Sequence, residues 1–343
     1  MHERNNFDFL RIFAAYLVLY SHQFSLTGHL EPSLPGYQTF GGLALDVFFS
    51  LSGYLVAQSW TSDPHLFRFA LRRFLRIWPG LAAMVLIVWA VLAPALSSLS
   101  VKDYFSRPET FRFLQVLWLS MVYRLPGVFD SNPLPFVNGS LWTLPVEVRW
   151  YFFLMLFGLL QLLRFRIALL FVLVAMSINY FMVYNVDHVA PLGGDRWWNT
   201  ELGLFFVAGA CLWCFREVWQ ARLWQISVVM AIVSGGLVMG HFPIAGYTLG
   251  IAYFVIALGT RSTPGIRDAG RFGDFSYGVY IYAFVVQQTL IQLTGNALTT
   301  LQGFIASAAI TGLAGFASWH LVEKQALKLK SRLRPRSRAQ GLP

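Results

Sequence analysis

Charged residues are scarce in this sequence, and long apolar segments are abundant. Only 12% of its 343 residues are Asp, Glu, Lys or Arg, and 56% are hydrophobic, whereas a soluble domain carries about 25% charged residues. The composition therefore excludes an ordinary soluble protein and predicts an all-α, polytopic membrane bundle. The apolar segments that approach or reach the ~20 residues of a membrane span lie near 8–27, 41–60, 77–97, 145–163, 167–184, 201–216, 223–240, 243–259, 275–293 and 300–321.

Cysteine is also scarce. Cys211 and Cys214 form a CxxC pair inside an apolar run, without the second pair that a zinc site needs and without a βαβ pattern around it. We expect both to be packing residues. The sequence contains no metal-binding signature such as HExxH, no internal repeat and no appended soluble domain. We expect no cleavable signal peptide, because residues 7–27 lack a small-residue cleavage site.

Acidic residues are outnumbered by basic ones, 16 to 26, which gives a formal charge of +10. The positive-inside rule explains this excess without a nucleic acid. If the N-terminus is cytoplasmic and residues 98–144 stay on the far side, every basic loop and the basic tail fall inside. We therefore predict about ten spans with both termini cytoplasmic, a membrane domain over 1–326, and a disordered basic tail over 327–343. The basic segments are 61–76, 164–166, 216–222, 260–272 and 328–338.

The segment 111–123 is the uncertain span. Arg112 and Gln115 interrupt it, and counting it as a span would place three later basic clusters outside the cytoplasm. We interpret it as interfacial, and an odd number of spans remains the alternative.

Arg11 and His22 interrupt the first apolar segment. At about 100° and 1.5 Å per residue, they share one helix face and lie about 16 Å apart along the axis. Ionisable residues in a membrane helix usually face the bundle interior or a watery cavity, which indicates a functional pair. In the alternative, Arg11 extends to the interface and His22 is an interfacial polar group.

The second segment, GGLALDVFFSLSGYL, carries Asp46. A buried carboxylate needs a partner, and Arg11 or His22 on the preceding segment are the candidates nearest in the chain. We expect Asp46 to orient the site. The alternative is a structural pair in a helix contact built on Ser50, Ser52 and Gly53.

The segment RFALRRFLRIWPG contains Arg68, Arg72, Arg73 and Arg76. Arginine binds phosphates bidentately, and Arg73 and Arg76, three residues apart, share a helix face. The segment indicates a cytoplasmic site for a phosphorylated cofactor. A positive-inside anchor at the lipid headgroups is the alternative.

The segment NGSLWTLPVEVRWYF leads into the fourth predicted span. We predict Thr143 as the N-cap, followed by Glu147 in the first turn, where the helix dipole favours an anion. That location is a sufficient structural reason for Glu147. A functional role would pair it with Arg149 or His22. We interpret Trp142 first as part of an aromatic belt at the membrane–water interface.

Two late segments also carry polar groups. GDFSYGVYIYAFVVQQ, residues 273–288, places Ser276, three tyrosines and two glutamines in a span. They suit a sugar-binding lining or hydrogen bonds between helices. We expect His320 and Glu323 of the closing WHLVEK to be interfacial.

Together these segments resemble the acyltransferase-3 family, bacterial inner-membrane proteins that O-acylate sugars. The resemblance covers the whole chain and consists of six segments in order: FDFLR with His22 after ten further residues, GGLALDVFFSLSGYL, RRFLRIWP, SLWTLPVEVRWYF, SYGVYIYAF and WHLVEK. Many relatives read LYLWH where this chain has Tyr280, Ile281, Tyr282 and Ala283. A role for that late histidine is therefore not carried over.

The resemblance implies an acyl-CoA donor, usually acetyl-CoA, reached from the cytoplasm, and a glycan acceptor at the periplasmic side or on a lipid carrier. It implies Arg11 and His22 as the central pair, with Arg73 and Arg76 as donor arginines, to which we add Arg72. We expect membrane lipids as further partners and no permanently bound cofactor or metal.

The predicted chemistry is direct or relayed acyl transfer to a sugar hydroxyl. His22 would act as the general base, and Glu147 or Asp46 would hold the imidazole. Arg11 would steady the thioester oxygen or the phosphopantetheine arm. We expect Asp46, Trp142 and Tyr282 to contact the acceptor.

Two other functions remain open at this stage. A transporter or flippase would use Arg11, Asp46 and Glu147 for substrate or proton coupling. A non-catalytic scaffold or sensor would not need His22 at all.

Overall fold

The computed structural model describes residues 5–182 and 196–329, with the backbone alone for 196–199. The predicted tail over 327–343 therefore lies almost entirely outside the described residues. The described residues are helical, with no β-strand and a single bridge between Ser33 and Thr39. The predicted all-α class is confirmed for this part of the chain.

Each predicted apolar segment corresponds to one long helix. In chain order, the α-helices of the described residues are α1 Phe7–Leu26, α2 Phe40–Ser62, α3 Leu66–Leu96, α4 Val101–Ser106, α5 Pro108–Arg112, α6 Thr143–Leu159, α7 Arg166–Phe181, α8 Arg196–Cys214, α9 Arg216–Ala221, α10 Leu223–Met239, α11 Pro243–Gly259, α12 Ser276–Thr294 and α13 Thr300–Lys328. Helices α3 and α13 each contain a π turn, Val88–Leu92 and Trp319–Glu323. Short 3₁₀ helices cover Phe113–Trp118, Ser140–Trp142, Leu162–Arg164 and Ile266–Phe272.

Within the described residues, α2, α3 and α13 are long and apolar enough to cross a membrane. Helices α7, α10 and α11 and residues Thr200–Cys214 of α8 are shorter apolar helices. These lengths and compositions are those of a helical membrane protein. The number of spans and the cytoplasmic location of both termini stay predictions.

The arginine-rich segment belongs to α3 and is not a loop before it. The predicted span begins at residue 77, but α3 begins at Leu66, directly after His65, whose ring accepts the Arg68 N–H at 3.5 Å. The helix therefore carries all four arginines into the bundle on a rigid element. Further along, the π turn directly precedes Pro94, which has no N–H to continue the helical hydrogen-bond pattern.

Helix α2 lies at the centre of the bundle and packs against α1, α8 and α11. Its backbone touches that of α8, because a Cβ at Gly53 would collide with the carbonyl oxygen of Phe206, and one at Gly209 with that of Ser50. Glycine at both positions is what permits this approach. Cys211 and Cys214 on α8 are buried free thiols, as predicted for packing residues.

The segment 111–123 does not form a membrane-crossing helix. Helix α5 has 5 residues and the following 3₁₀ helix has 6. Together they measure about 20 Å, less than the ~30 Å of a bilayer core. Phe113 and Val116 are buried in the bundle. The segment is thus too short to cross the membrane as one helix, which agrees with its interpretation as non-spanning.

Candidate active site

A cavity lies between α1, α2, α3, α6 and α12. Each of the five helices contributes at least one polar side chain, so the cavity is a product of the whole bundle. Its polar lining consists of Arg11, Ser52, Arg73, Arg76, Thr143, Glu147, Tyr151, Ser276, Tyr277 and Tyr280.

Asp274 holds two arginines at one end of this cavity. Its Oδ2 accepts from Arg11 Nη1 at 2.8 Å and from Arg76 Nη2 at 2.7 Å, and its Oδ1 accepts from Ser276 Oγ at 2.6 Å. Burial alone raises the pKa of Asp274, but the charges of Arg76 and Arg11 outweigh it and hold that pKa well below its usual range. The carboxylate is therefore ionised, and it forms ion pairs with two guanidinium groups.

Arg73 is different from its neighbours. It forms no ion pair with any carboxylate of the described residues, and its Nε is buried without a hydrogen-bond partner there. Its guanidinium lies over the rings of Tyr151, at 5.6 Å, and Phe69, at 5.8 Å. A cation held against aromatic faces in a cavity is available to bind an anion.

Glu147 faces the same cavity. It accepts hydrogen bonds from Tyr151, one turn later on α6, and from Ser52 Oγ on α2 at 3.1 Å. The described residues show no ion pair of Glu147 with Arg149 or His22, the pairing that the sequence left open as an alternative. Residues 147 and 149 point about 160° apart on a helix, and Arg149 is exposed.

His22 lies beyond the other end of the cavity. Its Nδ1 is 3.3 Å from Ser140 Oγ, and its ring packs edge-on against Phe284 at 5.6 Å between centroids. Among the described residues, Nε2 has no hydrogen-bond partner. Glu31, whose Oε2 accepts from Ser21 Oγ at 2.5 Å, is close enough to interact electrostatically with His22.

A layer of hydrogen-bonded residues separates His22 from the cavity. Tyr280 donates its hydroxyl to the carbonyl oxygen of Ser140 and lies 2.6 Å from Thr143 Oγ1. Thr143 is the first residue of α6 and not its predicted N-cap: Trp142 holds that position, without a side-chain cap. The Thr143 hydroxyl instead fixes Tyr280, so that Ser140 contacts both His22 and the cavity wall.

Comparison with known proteins identifies the family of the chain. The model of the acyltransferase-3 family, an acyltransferase domain, matches residues 4–319. The chain belongs to this family. It is therefore a membrane-associated acyltransferase.

Three relatives of this acyltransferase are 24–31% identical to it. It is 31% identical to an O-acetyl transferase of Shigella phage Sf6, over 96% of this chain and 98% of the relative. It is 27% identical to Nodulation protein 10 of Rhizobium leguminosarum bv. viciae, over 96% and 95%. Peptidoglycan O-acetyltransferase OatA of Listeria monocytogenes is 24% identical over 80% of this chain, which spans 49% of that longer protein. No solved structure matches the chain.

The acyltransferase brings together most of its predicted donor residues but not Arg72. Arg11, Arg73 and Arg76 line the cavity. Arg72 lies outside that lining, where its Nη1 pairs with Asp63 Oδ2 at 2.5 Å. Arg68 binds the same carboxylate at 2.6 Å. One acidic residue in the preceding turn thus fixes both arginines at the helix start.

Asp46 is paired differently from the prediction. It is completely buried and accepts hydrogen bonds from Tyr37 and Gln38, so Arg11 and His22 are not its partners. The short segment before α2 folds back over the first turns of that helix and supplies both donors. Asp46 does not line the cavity that holds Arg73.

Three further residues lie away from the cavity or from their predicted location. Trp142 packs against the apolar cluster around α8, and Tyr282 against the one around α1. Glu323 was expected at the interface, but it is 2% exposed and accepts from Ser318 Oγ at 2.8 Å. The π turn that ends at Glu323 adds a residue to the helical turn and changes the face on which it lies. It lies close enough to Arg76 to interact with its charge.

Sequence reasoning missed Asp274, Glu31, Ser140 and Tyr151 as members of the site. Asp274 stands directly before a helix that was singled out, and Tyr151 is one turn after Glu147, so their neighbours offered a signal. Glu31 and Ser140 lie in connecting segments whose path the sequence does not predict.

Proposed function

We propose that this acyltransferase moves an acetyl group from acetyl-CoA to a hydroxyl group of a cell-surface or exported glycan, in the bacterial inner membrane. Two relatives, an O-acetyl transferase and a peptidoglycan O-acetyltransferase, support O-acetylation of a glycan. The observation that carries the proposal is the arrangement along α1. A cavity with an unpaired arginine lies at one end, and a histidine with an open Nε2 lies beyond the other.

The arginine end suits the phosphates of CoA. Arg73 has no acidic partner among the described residues, and it points into the cavity from a rigid helix. Arg11 and Arg76 share Asp274 and so retain donors for a phosphate oxygen, since each guanidinium has five N–H groups. The cytoplasmic side predicted for this end is the side where acetyl-CoA is available.

The position of the cavity beside α1 suits the extended arm of CoA. The Arg11 and His22 positions are about 16 Å apart along α1, so phosphates held at Arg73 leave the pantetheine arm to extend toward Ser140. The thioester would then reach the wall formed by Thr143 and Tyr280, and this wall must open to bring the thioester carbonyl next to His22. The Tyr280 hydroxyl and the backbone of the Ser140 turn are the polar groups nearest to that point.

His22 is the proposed general base. With Nδ1–H donating to Ser140 Oγ, the lone pair of Nε2 removes the proton from the acceptor hydroxyl as its oxygen attacks the thioester carbonyl. The C–S bond then breaks, and the imidazolium returns the proton to the CoA thiolate. Glu31 stabilises the imidazolium, the part that Glu147 or Asp46 was expected to play.

The donor part of this proposal is tested by thiol release from acetyl-CoA in inside-out vesicles that contain the host's glycans. Loss of charge-assisted hydrogen bonds at Arg73 should raise the KM for acetyl-CoA about tenfold or more in Arg73→Gln. Arg164→Gln is the matched control, because Arg164 is exposed and does not line the cavity.

Two results would count against the donor assignment. If Arg73→Gln and Arg164→Gln have the same KM for acetyl-CoA, then Arg73 does not bind the donor. If the wild-type protein releases no thiol while inserted and folded, acetyl-CoA is not the donor.

A further inference from the structure

A second cavity, with about 1030 Å³ of open space, shares no lining residue with the first. It lies between the segment that precedes α2 and helices α7, α8 and α11. Six of its lining residues carry side chains that can form hydrogen bonds: Tyr37, Gln38, Ser177, Tyr180, Glu201 and Tyr247. The remaining lining is mostly apolar, which is the usual composition of a pocket for an organic ligand.

Glu201 is the feature that requires explanation. Only 4% of it is exposed, and it lines the cavity. Its Oε2 is buried and has no hydrogen-bond partner among the described residues. A buried carboxylate oxygen without a donor is costly, so a hydroxyl group brought by a ligand would be bound strongly there.

Asp46 extends the same acidic environment behind the cavity wall. The Tyr37 hydroxyl, on the lining, donates to Asp46 Oδ2, while Asp46 Oδ1 is buried without a partner among the described residues. Glu201 is close enough to affect both groups electrostatically. This environment favours a ligand with hydroxyl or other donor groups and disfavours an anion such as a phosphate.

Aromatic side chains form the second kind of surface in this cavity, beside the buried carboxylate. Tyr37 and Tyr247 lie with their ring centroids 3.9 Å apart, and Phe181 and Phe242 with theirs 4.8 Å apart. All four line the cavity. A sugar ring presents C–H groups on its faces and hydroxyl groups at its edge. Aromatic faces beside a buried carboxylate therefore match its two kinds of surface.

The segment between α1 and α2 touches both the cavity and the surroundings of His22. It carries Glu31 near its start and Tyr37 near its end. At Gly41 a Cβ would lie 3.1 Å from Ser21 Oγ, beside His22 in the sequence. Asp46 is about 7.5 Å further along α2. The cavity and His22 therefore share one connecting segment and one helix.

We infer that this second cavity binds a saccharide unit of the acceptor, with Glu201 accepting hydrogen bonds from sugar hydroxyls and Tyr247 providing a ring face. The inference rests on the proposed function for the identity of the acceptor. It assigns acceptor binding to residues that lie outside the donor cavity.

Direct binding without acetyl-CoA tests the inference. The probe is a fluorescently labelled oligosaccharide fraction, released by mild acid from the host's surface polysaccharide, with the full-length protein in detergent. Wild type should bind saturably, and Glu201→Ala and Tyr247→Ala should each bind about tenfold more weakly or worse. Glu201→Gln, which keeps the shape and one neutral acceptor, should be intermediate. Glu217→Ala, at an exposed carboxylate on α9, is the matched control and should bind as wild type.

The inference is overturned if wild type does not bind the fraction, or if both alanine variants bind it as wild type does. Thermal unfolding of each variant excludes loss of fold as the cause. Kinetics give a second readout: both alanine variants should raise the KM for the acceptor and leave the KM for acetyl-CoA unchanged. Because binding is measured without donor, a failure of the acetyl-CoA proposal leaves this result standing, and the reverse also holds.

Discussion

Replacing Asp274 with asparagine should destabilise the protein more than any other single charge removal at the arginine end of the donor cavity. The carboxylate Oδ2 binds Arg11 at 2.8 Å and Arg76 at 2.7 Å. Asparagine keeps the shape and one oxygen acceptor but removes the negative charge. Two guanidinium groups then remain together without an anion between them.

The magnitude follows from these distances. At an effective dielectric constant of about 20, each attraction is about 6 kcal/mol, and the two cations, no more than about 5.5 Å apart, repel each other by about 3 kcal/mol. Desolvation cancels much of this gain. Breaking a buried ion pair costs about 3–5 kcal/mol of unfolding free energy. Because the Asp274 side chain is 13% exposed, we expect a loss near the lower end of this range, about 3 kcal/mol.

The assay uses the two buried cysteines. A thiol-reactive fluorophore reports Cys211 and Cys214 as they become exposed on heating in detergent. Asp274→Asn should lower the unfolding midpoint by about 4 °C. Asp268→Asn is the control, because Asp268 is 42% exposed and lies 3.7 Å from Arg267. A surface pair of that kind contributes about 0–1 kcal/mol.

Removing one cation supplies a further check on the reasoning. Arg11→Gln leaves Asp274 paired with Arg76, so it should destabilise less than Asp274→Asn. The double variant of both should lose less than the two single losses added, because the residues share one interaction. Equal midpoints for Asp274→Asn and Asp268→Asn would refute the account of a carboxylate that holds two buried cations.

Three other predictions concern packing, pH and the base. Gly53→Ala should destabilise the protein by about 3 kcal/mol or more, because the added Cβ would collide with the backbone of Phe206. Gly235→Ala is the control: it has open space around it and should stabilise the protein by about 0.5–1 kcal/mol. The same fluorophore assay measures both. Hydrogen bonds from two arginines hold the pKa of Asp63 well below its usual range. Asp63→Asn should therefore destabilise the protein above pH ~4, the pKa of aspartate in the unfolded state. The destabilisation should disappear as the pH falls through the lower pKa that Asp63 has in the folded state. Thermal unfolding measured across this pH range tests both expectations. Ser140→Ala should lower kcat by up to about tenfold without changing the KM for acetyl-CoA, and a change confined to KM would contradict its role in orienting His22.

Much of the helical framework could be predicted from the sequence. Each of the ten apolar segments contains a long helix, because long apolar runs without a strong breaker have few other stable forms in a membrane. The shared face of Arg11 and His22 follows from helical period alone. The four arginines of α3 could be singled out from the sequence, but not their division, in which Arg73 and Arg76 face the cavity while Arg68 and Arg72 bind Asp63.

The partners of the polar residues could not be predicted in the same way. A membrane helix is apolar on most of its surface, so its sequence does not show which face meets which neighbour. Asp274 is 263 residues from Arg11 in the chain, and only the packing of α12 beside α1 and α3 brings them together. Glu31 and Tyr37 belong to a connecting segment, where no period predicts the path of the backbone.

The most direct test of the central claim is transfer of radiolabel from [acetyl-¹⁴C]acetyl-CoA to the host's glycans in inside-out vesicles, with wild type and His22→Gln compared at equal amounts of folded protein. The account predicts alkali-labile label on the glycan with wild type and a loss of about 10²-fold or more with His22→Gln, the usual contribution of a general base. Equal labelling by the two proteins would contradict His22 as the base. Label that never reaches the glycan would contradict the acetyl-transfer function itself.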